Sequence, residues 1–113
     1  MLSERTAIET MYIHGHLGGG TIAKKRLAAG LRFISDLRKS EERCKSISEE
    51  CSKFAVYLDH FLKKEDNVGS FIEKHPKTRG GKKRTCEDVY MAVMAMLDKI
   101  DTYYQRRRFE WTD

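Results

Sequence analysis

The chain has 113 residues, of which 40% are apolar and 35% charged, with 22 lysines and arginines against 17 acids and a formal charge of +5. That is one domain with a modest core. It is too apolar for a disordered chain, without the roughly 18 consecutive apolar residues of a membrane span, and basic enough to favour nucleic acid or an acidic protein surface as partner over a cationic one.

Ser3 is placed to cap a first helix, with Glu4 in its first turn. Ala7, Ile8, Met11 and Tyr12 then share one face, and His16-Leu17-Gly18-Gly19-Gly20 stops the helix by Gly15. Residues 1–20 are thus a short helix and a glycine turn. Thr21 is the expected cap of a second, long helix over 21–64, which holds no proline and has Gly30 as its one candidate bend. Leu37, Cys44, Cys51 and Leu58 recur every seven residues, with Ile47, Phe54 and Phe61 interleaved and Ser40 as the polar member. This is a heptad seam. The mixed charges between, from Arg38 to Lys53, read as a solvated face.

Residues 65–85 form a connector. Its second half, Lys74 to Arg84, holds Lys74, Lys77, Arg79, Lys82, Lys83 and Arg84 without an acid, around Pro76 and Gly80-Gly81. The expectation is a flexible basic arm that orders on phosphates. Thr85 is placed to cap a last helix over 86–108, with Asp88 three residues on as the partner of a capping box. Val89, Val93, Met96, Ile100 and Tyr103 make one apolar stripe, and Tyr90, Met94, Leu97 and Tyr104 a second beside it. A helix apolar over so much of its circumference is buried on several sides. At 1.5 Å per residue it is roughly 33 Å long, against roughly 38 Å for the heptad segment. The matched lengths predict an all-α fold in which the long and last helices form an antiparallel hairpin. The first helix is a third partner, and the apolar surface left over predicts completion by homo-oligomerisation.

Two further clusters accompany the arm. Lys24-Lys25-Arg26 opens the long helix, and Arg106-Arg107-Arg108 closes the last, followed by Phe109 and Trp111. Arginine beside aromatics holds bases by stacking as well as by charge, although basic residues at a helix end also offset its dipole. In the hairpin, the arm lies at one end near Lys63 and Lys64. The last cluster returns toward Lys24–Arg26 and Arg32, giving a basic patch at each end. The reading is a nucleic-acid-binding accessory protein, for DNA or RNA, that contacts phosphates with little base readout. If all six arm cations engaged a duplex, log affinity would fall with log salt at a slope of roughly −5. The alternative is a helical adaptor or inhibitor, of a kind suited to viruses or mobile elements, whose apolar helix and seam meet a partner protein while the arm docks on an acidic patch.

Other chemistries fit less well. A helix-turn-helix is disfavoured by the long glycine turn and the long second helix. His14, His16, Cys44, Cys51 and His60 lack metal-ligand spacing. Gly18-Gly19-Gly20-Thr21 lacks the P-loop pattern. No catalytic constellation is visible, so neither an enzyme nor a cofactor is expected. Three cysteines without an apolar leader lead to the expectation of free thiols in an intracellular protein, cytoplasmic or nuclear.

Overall fold

The computed structural model describes residues 5–110, with side chains to residue 107. Ser3, Glu4 and Trp111, and the side chains of Arg108 and Phe109, lie outside the described part. The described chain is all-helical, its one β feature being an isolated bridge between Lys77 and Lys83.

Helix α1 (Ala7–Ile13) is capped by Thr6. The Glu9 N–H donates to Thr6 Oγ1 at 3.1 Å, and the Thr6 N–H donates to Glu9 Oε1 at 3.0 Å. This is a reciprocal capping box. At the other end the Gly15 N–H reaches the Tyr12 carbonyl and the His16 N–H the Met11 carbonyl. This Schellman closure needs a left-handed residue, and Gly15 supplies it at φ 79°. Leu17 then drops into the core, fully buried.

Helix α2 (Gly20–Lys39) starts one residue before the expected cap, with Gly19 in the cap position and no side-chain cap bond. Gly30 does not act as a hinge: it is buried within the helix, and a Cβ built there would lie 3.1 Å from Leu97 Cδ2 and 3.3 Å from Ile8 Cγ2. The missing side chain lets α1 and the last helix approach α2.

The expected continuous helix to Lys64 is broken at Ser40, which is extended at φ −166°, ψ 115°. No proline or glycine causes this; the break lets the second half of the segment pack on a different side of the last helix from α2. Beyond it the chain winds through a 3₁₀ turn (Glu42–Cys44), α3 (Lys45–Glu50), a second 3₁₀ turn (Ser52–Phe54), α4 (Ala55–Tyr57) and a π turn (Leu58–Lys63). The seam survives this irregular winding, since Cys44, Ile47, Cys51, Leu58 and Phe61 are all buried. His60 is buried as well, its Nε2 donating to the Asn67 carbonyl at 2.7 Å, so it is no surface residue. Helix α5 (Val68–Lys74) is capped by Asn67, whose Oδ1 accepts from the Ser70 N–H at 2.8 Å.

Helix α6 (Cys86–Glu110) is the axis of the fold. Its capping box forms as expected: the Asp88 N–H donates to Thr85 Oγ1 at 3.1 Å, and the Thr85 N–H to Asp88 Oδ2 at 3.0 Å. Helix α2 packs along it in the same direction. Arg26 meets Asp98, Gly30 faces Leu97, and Asp36 accepts from the Tyr104 hydroxyl. The expected hairpin partner, as one helix from 21 to 64, is therefore absent. The second half runs in the reverse order, with Glu50 at Arg106 of α6 and Tyr57 at Arg84, two residues before the helix begins. The large apolar side chains of α6 from Val89 to Tyr104, Met91 excepted, are buried or half-buried. Phe33, Phe61, Phe71, Met96 and Leu97 are among the largest fully buried groups, each worth about 1.5–3 kcal/mol of burial.

Candidate nucleic-acid interface

The arm is folded. The Thr78 N–H donates to the Lys82 carbonyl at 2.8 Å, the Gly81 N–H to the Thr78 carbonyl at 2.9 Å, and the Arg84 N–H to the Pro76 carbonyl at 2.8 Å. These bonds make a short antiparallel hairpin with a three-residue loop, Arg79-Gly80-Gly81. Gly81 takes the left-handed position, φ 85°, that such a loop requires. The expectation of a free arm is corrected on this point: local turn chemistry, with Thr78 Oγ1 also accepting from the Lys82 N–H at 3.2 Å, orders it without a ligand.

Arg84 fastens the hairpin to the bundle. Its Nη1 donates to the Tyr57 hydroxyl at 2.6 Å and its Nη2 to the Lys77 carbonyl at 3.1 Å. The guanidinium lies 5.2 Å from the Phe71 ring centroid, and its Nε is buried without a partner among the described residues. Phe71 in turn stacks on Tyr57 at 4.7 Å. Lys77, Arg79, Lys82 and Lys83 are exposed, and none forms an ion pair among the described residues. Lys74 stands 3.9 Å from Asp66. A groove of about 450 Å³ runs between the hairpin and the bundle, lined by Arg79, Thr78 and Arg84 on one side and Lys53, Val56 and Tyr57 on the other. Asp88 is the one acid there. Its carboxyl is held below the ordinary range, first by the hydrogen bond from the Thr85 backbone and then by the Thr85 side chain, Arg84 and Lys82 adding attraction.

The second cluster is divided. Lys24 and Lys25 are exposed on the first turns of α2. Arg26 turns inward, with 17% of its side chain accessible, and forms a bidentate pair with Asp98 at 2.8 and 3.0 Å; its Nη1 also donates to the Leu17 carbonyl at 2.8 Å. It closes the glycine turn. In the third cluster Arg106 pairs with Glu50 at 3.1 Å, and Arg107 Nε donates to the Tyr103 hydroxyl at 3.0 Å. The three clusters are strung along α6 rather than gathered at two ends. The hairpin precedes Cys86, Arg26 sits at Asp98, and Arg107 lies about 32 Å from the start.

Lys53 joins the hairpin without having been singled out by sequence. It sits within an alternating charged run, and only the fold brings it to Arg79. Arg43 is a second such residue, converging with Arg32 and Arg107 on one groove.

Two of the three cysteines have structural settings, and Cys86 is exposed. Cys44 and Cys51 are buried, and burial raises both thiols above their ordinary value. His16 stacks on Tyr90 at 3.9 Å. Among the described residues no helix is long and apolar enough to cross a membrane. Compared with protein-family models, curated proteins and solved structures, the chain shows no match.

Proposed function

We propose that this protein is a nucleic-acid-binding module whose contacts are made chiefly to phosphates by the hairpin between α5 and α6. The observation that carries this reading is the display of Lys77, Arg79, Lys82 and Lys83 on one pre-formed hairpin, all exposed and none in an ion pair among the described residues. A fold without an anionic partner gains nothing from holding four unpaired cations so close together. Pre-ordering also lowers the entropic cost that a mobile arm would meet on binding. Arg84 is engaged internally, and Lys53 takes its place among the phosphate contacts, so the set still numbers six with Lys74. Lys24 and Lys25 extend the basic surface along α2.

The contacts are to charge and shape. Beneath the hairpin Tyr57 and Phe71 are already stacked together, and with three lysines among its four exposed cations the hairpin offers mainly point charges rather than base-edge forks. The adaptor reading has less to draw on, because the seam and the two stripes of α6 that would form its working surface are covered by the chain itself.

The test is fluorescence anisotropy with a labelled 20-base-pair duplex and a matching single strand across 50–300 mM salt. On duplex, log affinity is expected to fall with log salt at a slope of roughly −5. Lys82→Ala/Lys83→Ala should reduce the steepness by about two and Lys53→Ala by about one, with little dependence on sequence. Binding that is absent, or indifferent to salt, overturns the proposal.

A further inference from the structure

At the far end of α6 a groove of about 650 Å³ opens between α2, the 3₁₀ turn Glu42–Cys44 and the last turns of α6. Three arginines from these three elements converge on it: Arg32, Arg43 and Arg107. Two are set by tyrosines. The Arg32 guanidinium lies over the Tyr104 ring, 4.0 Å from its centroid, and Arg107 lies 5.2 Å from the Tyr103 ring while donating to its hydroxyl. Stacking over Tyr104 fixes the plane of the Arg32 guanidinium while leaving its donors for a ligand. Arg43 is exposed and has neither ion pair nor hydrogen bond among the described residues. The two acids of the groove have other attachments. Asp36 accepts from the Tyr104 hydroxyl at 2.8 Å, and Glu42 faces Lys45 at 3.4 Å.

We propose that this groove binds a phosphoryl group carried on a nucleotide-sized ligand, through Arg32, Arg43 and Arg107 with the Ser46 hydroxyl at its edge. The volume falls in the range of small-molecule sites, roughly 300–1,000 Å³. Planar guanidinium forks match phosphate geometry and bind it bidentately, which distinguishes this site from the lysine-rich hairpin. Packing accounts for Arg32 and Arg107 in part, through their tyrosines. It does not account for Arg43, which brings a third cation to the same groove with no internal partner. The phosphoryl group has two natural sources, a free nucleotide and the phosphorylated end of a strand. The site is remote from the hairpin and does not depend on it.

Isothermal titration at 0.1 M salt with inorganic pyrophosphate and with adenosine triphosphate tests the groove. Both should bind wild-type protein, and Arg43→Ala should weaken each at least fivefold with an unchanged melting curve. Lys82→Ala/Lys83→Ala should leave both affinities as they were. A hexamer single strand with a 5′ phosphate is then compared with its 5′-hydroxyl twin. Tighter binding of the phosphorylated form that disappears in Arg43→Ala identifies a strand end; equal binding of the twins identifies a free nucleotide. Absent pyrophosphate binding, binding untouched by Arg43→Ala, or binding lost in the hairpin variant overturns the proposal. The change in salt slope that Lys82→Ala/Lys83→Ala causes on a duplex with 5′-hydroxyl ends reads the hairpin, and pyrophosphate reads the groove, so failure at one site is distinguishable from failure at the other.

Discussion

Arg84 directs two nitrogens at fixed acceptors, Tyr57 and the Lys77 carbonyl, while its plane rests beside Phe71. Replacing it with alanine removes both bonds and the packing. Arg84→Ala is expected to lower stability by about 1–3 kcal/mol, measured by urea denaturation. Arg84→Lys should recover little of the loss, because an ammonium cannot serve both acceptors from one plane. An arginine in a run of cations reads as surface; what makes this one internal is a tyrosine 27 residues upstream, and no local rule joins them. Arg26 carries the same lesson, its carboxylate lying 72 residues away. The Thr85–Asp88 box, by contrast, was legible because its partners are three residues apart and the chemistry is complete within one turn.

Among the elements, α6 was readable in nearly its full extent, since both its cap and its apolar stripes are local properties. The end of α2 was not. Residues 36–44 contain no breaker, and the seam runs through them without interruption in sequence; the reversal at Ser40 comes from tertiary packing around α6. The backbone there supports a discriminating substitution. Glu41 has φ −60°, its predecessor is extended, and its N–H makes no backbone hydrogen bond among the described residues. Glu41→Pro is therefore expected to be neutral or to stabilise by about 0.4–1 kcal/mol. In a continuous helix it would cost ~3 kcal/mol or more. A thermal melt of the single variant decides between them.

For the molecule as a whole, the sequence argued for a second copy from the breadth of apolar surface on α6. That argument counted two partners for the helix, and the fold provides at least three: α2, the 42–63 segment and α5 all reach it. With Met91 as the only large apolar side chain of α6 left exposed before Tyr104, we expect light scattering to give the mass of one 13.2 kDa chain at micromolar concentration. A stable dimer would restore the earlier expectation. The cationic character was legible from composition, but which cations face outward, as Lys77 and Arg79 do, and which are engaged by the bundle, as Arg26 and Arg84 are, required the fold.

The shared direction of α2 and α6 bears on how the chain reaches this state. Two helices that run the same way cannot be zipped together from a tight turn. Asp36 and Tyr104 are 68 residues apart, and every contact along this pair spans a comparable loop. Closing such a loop comes before any reward from burial, so the search is slower than in an up-and-down bundle of equal size. Until α6 inserts, the seam cysteines, which lie near Tyr104 and Lys99, lack their final cover, and early species are those most exposed to association and oxidation.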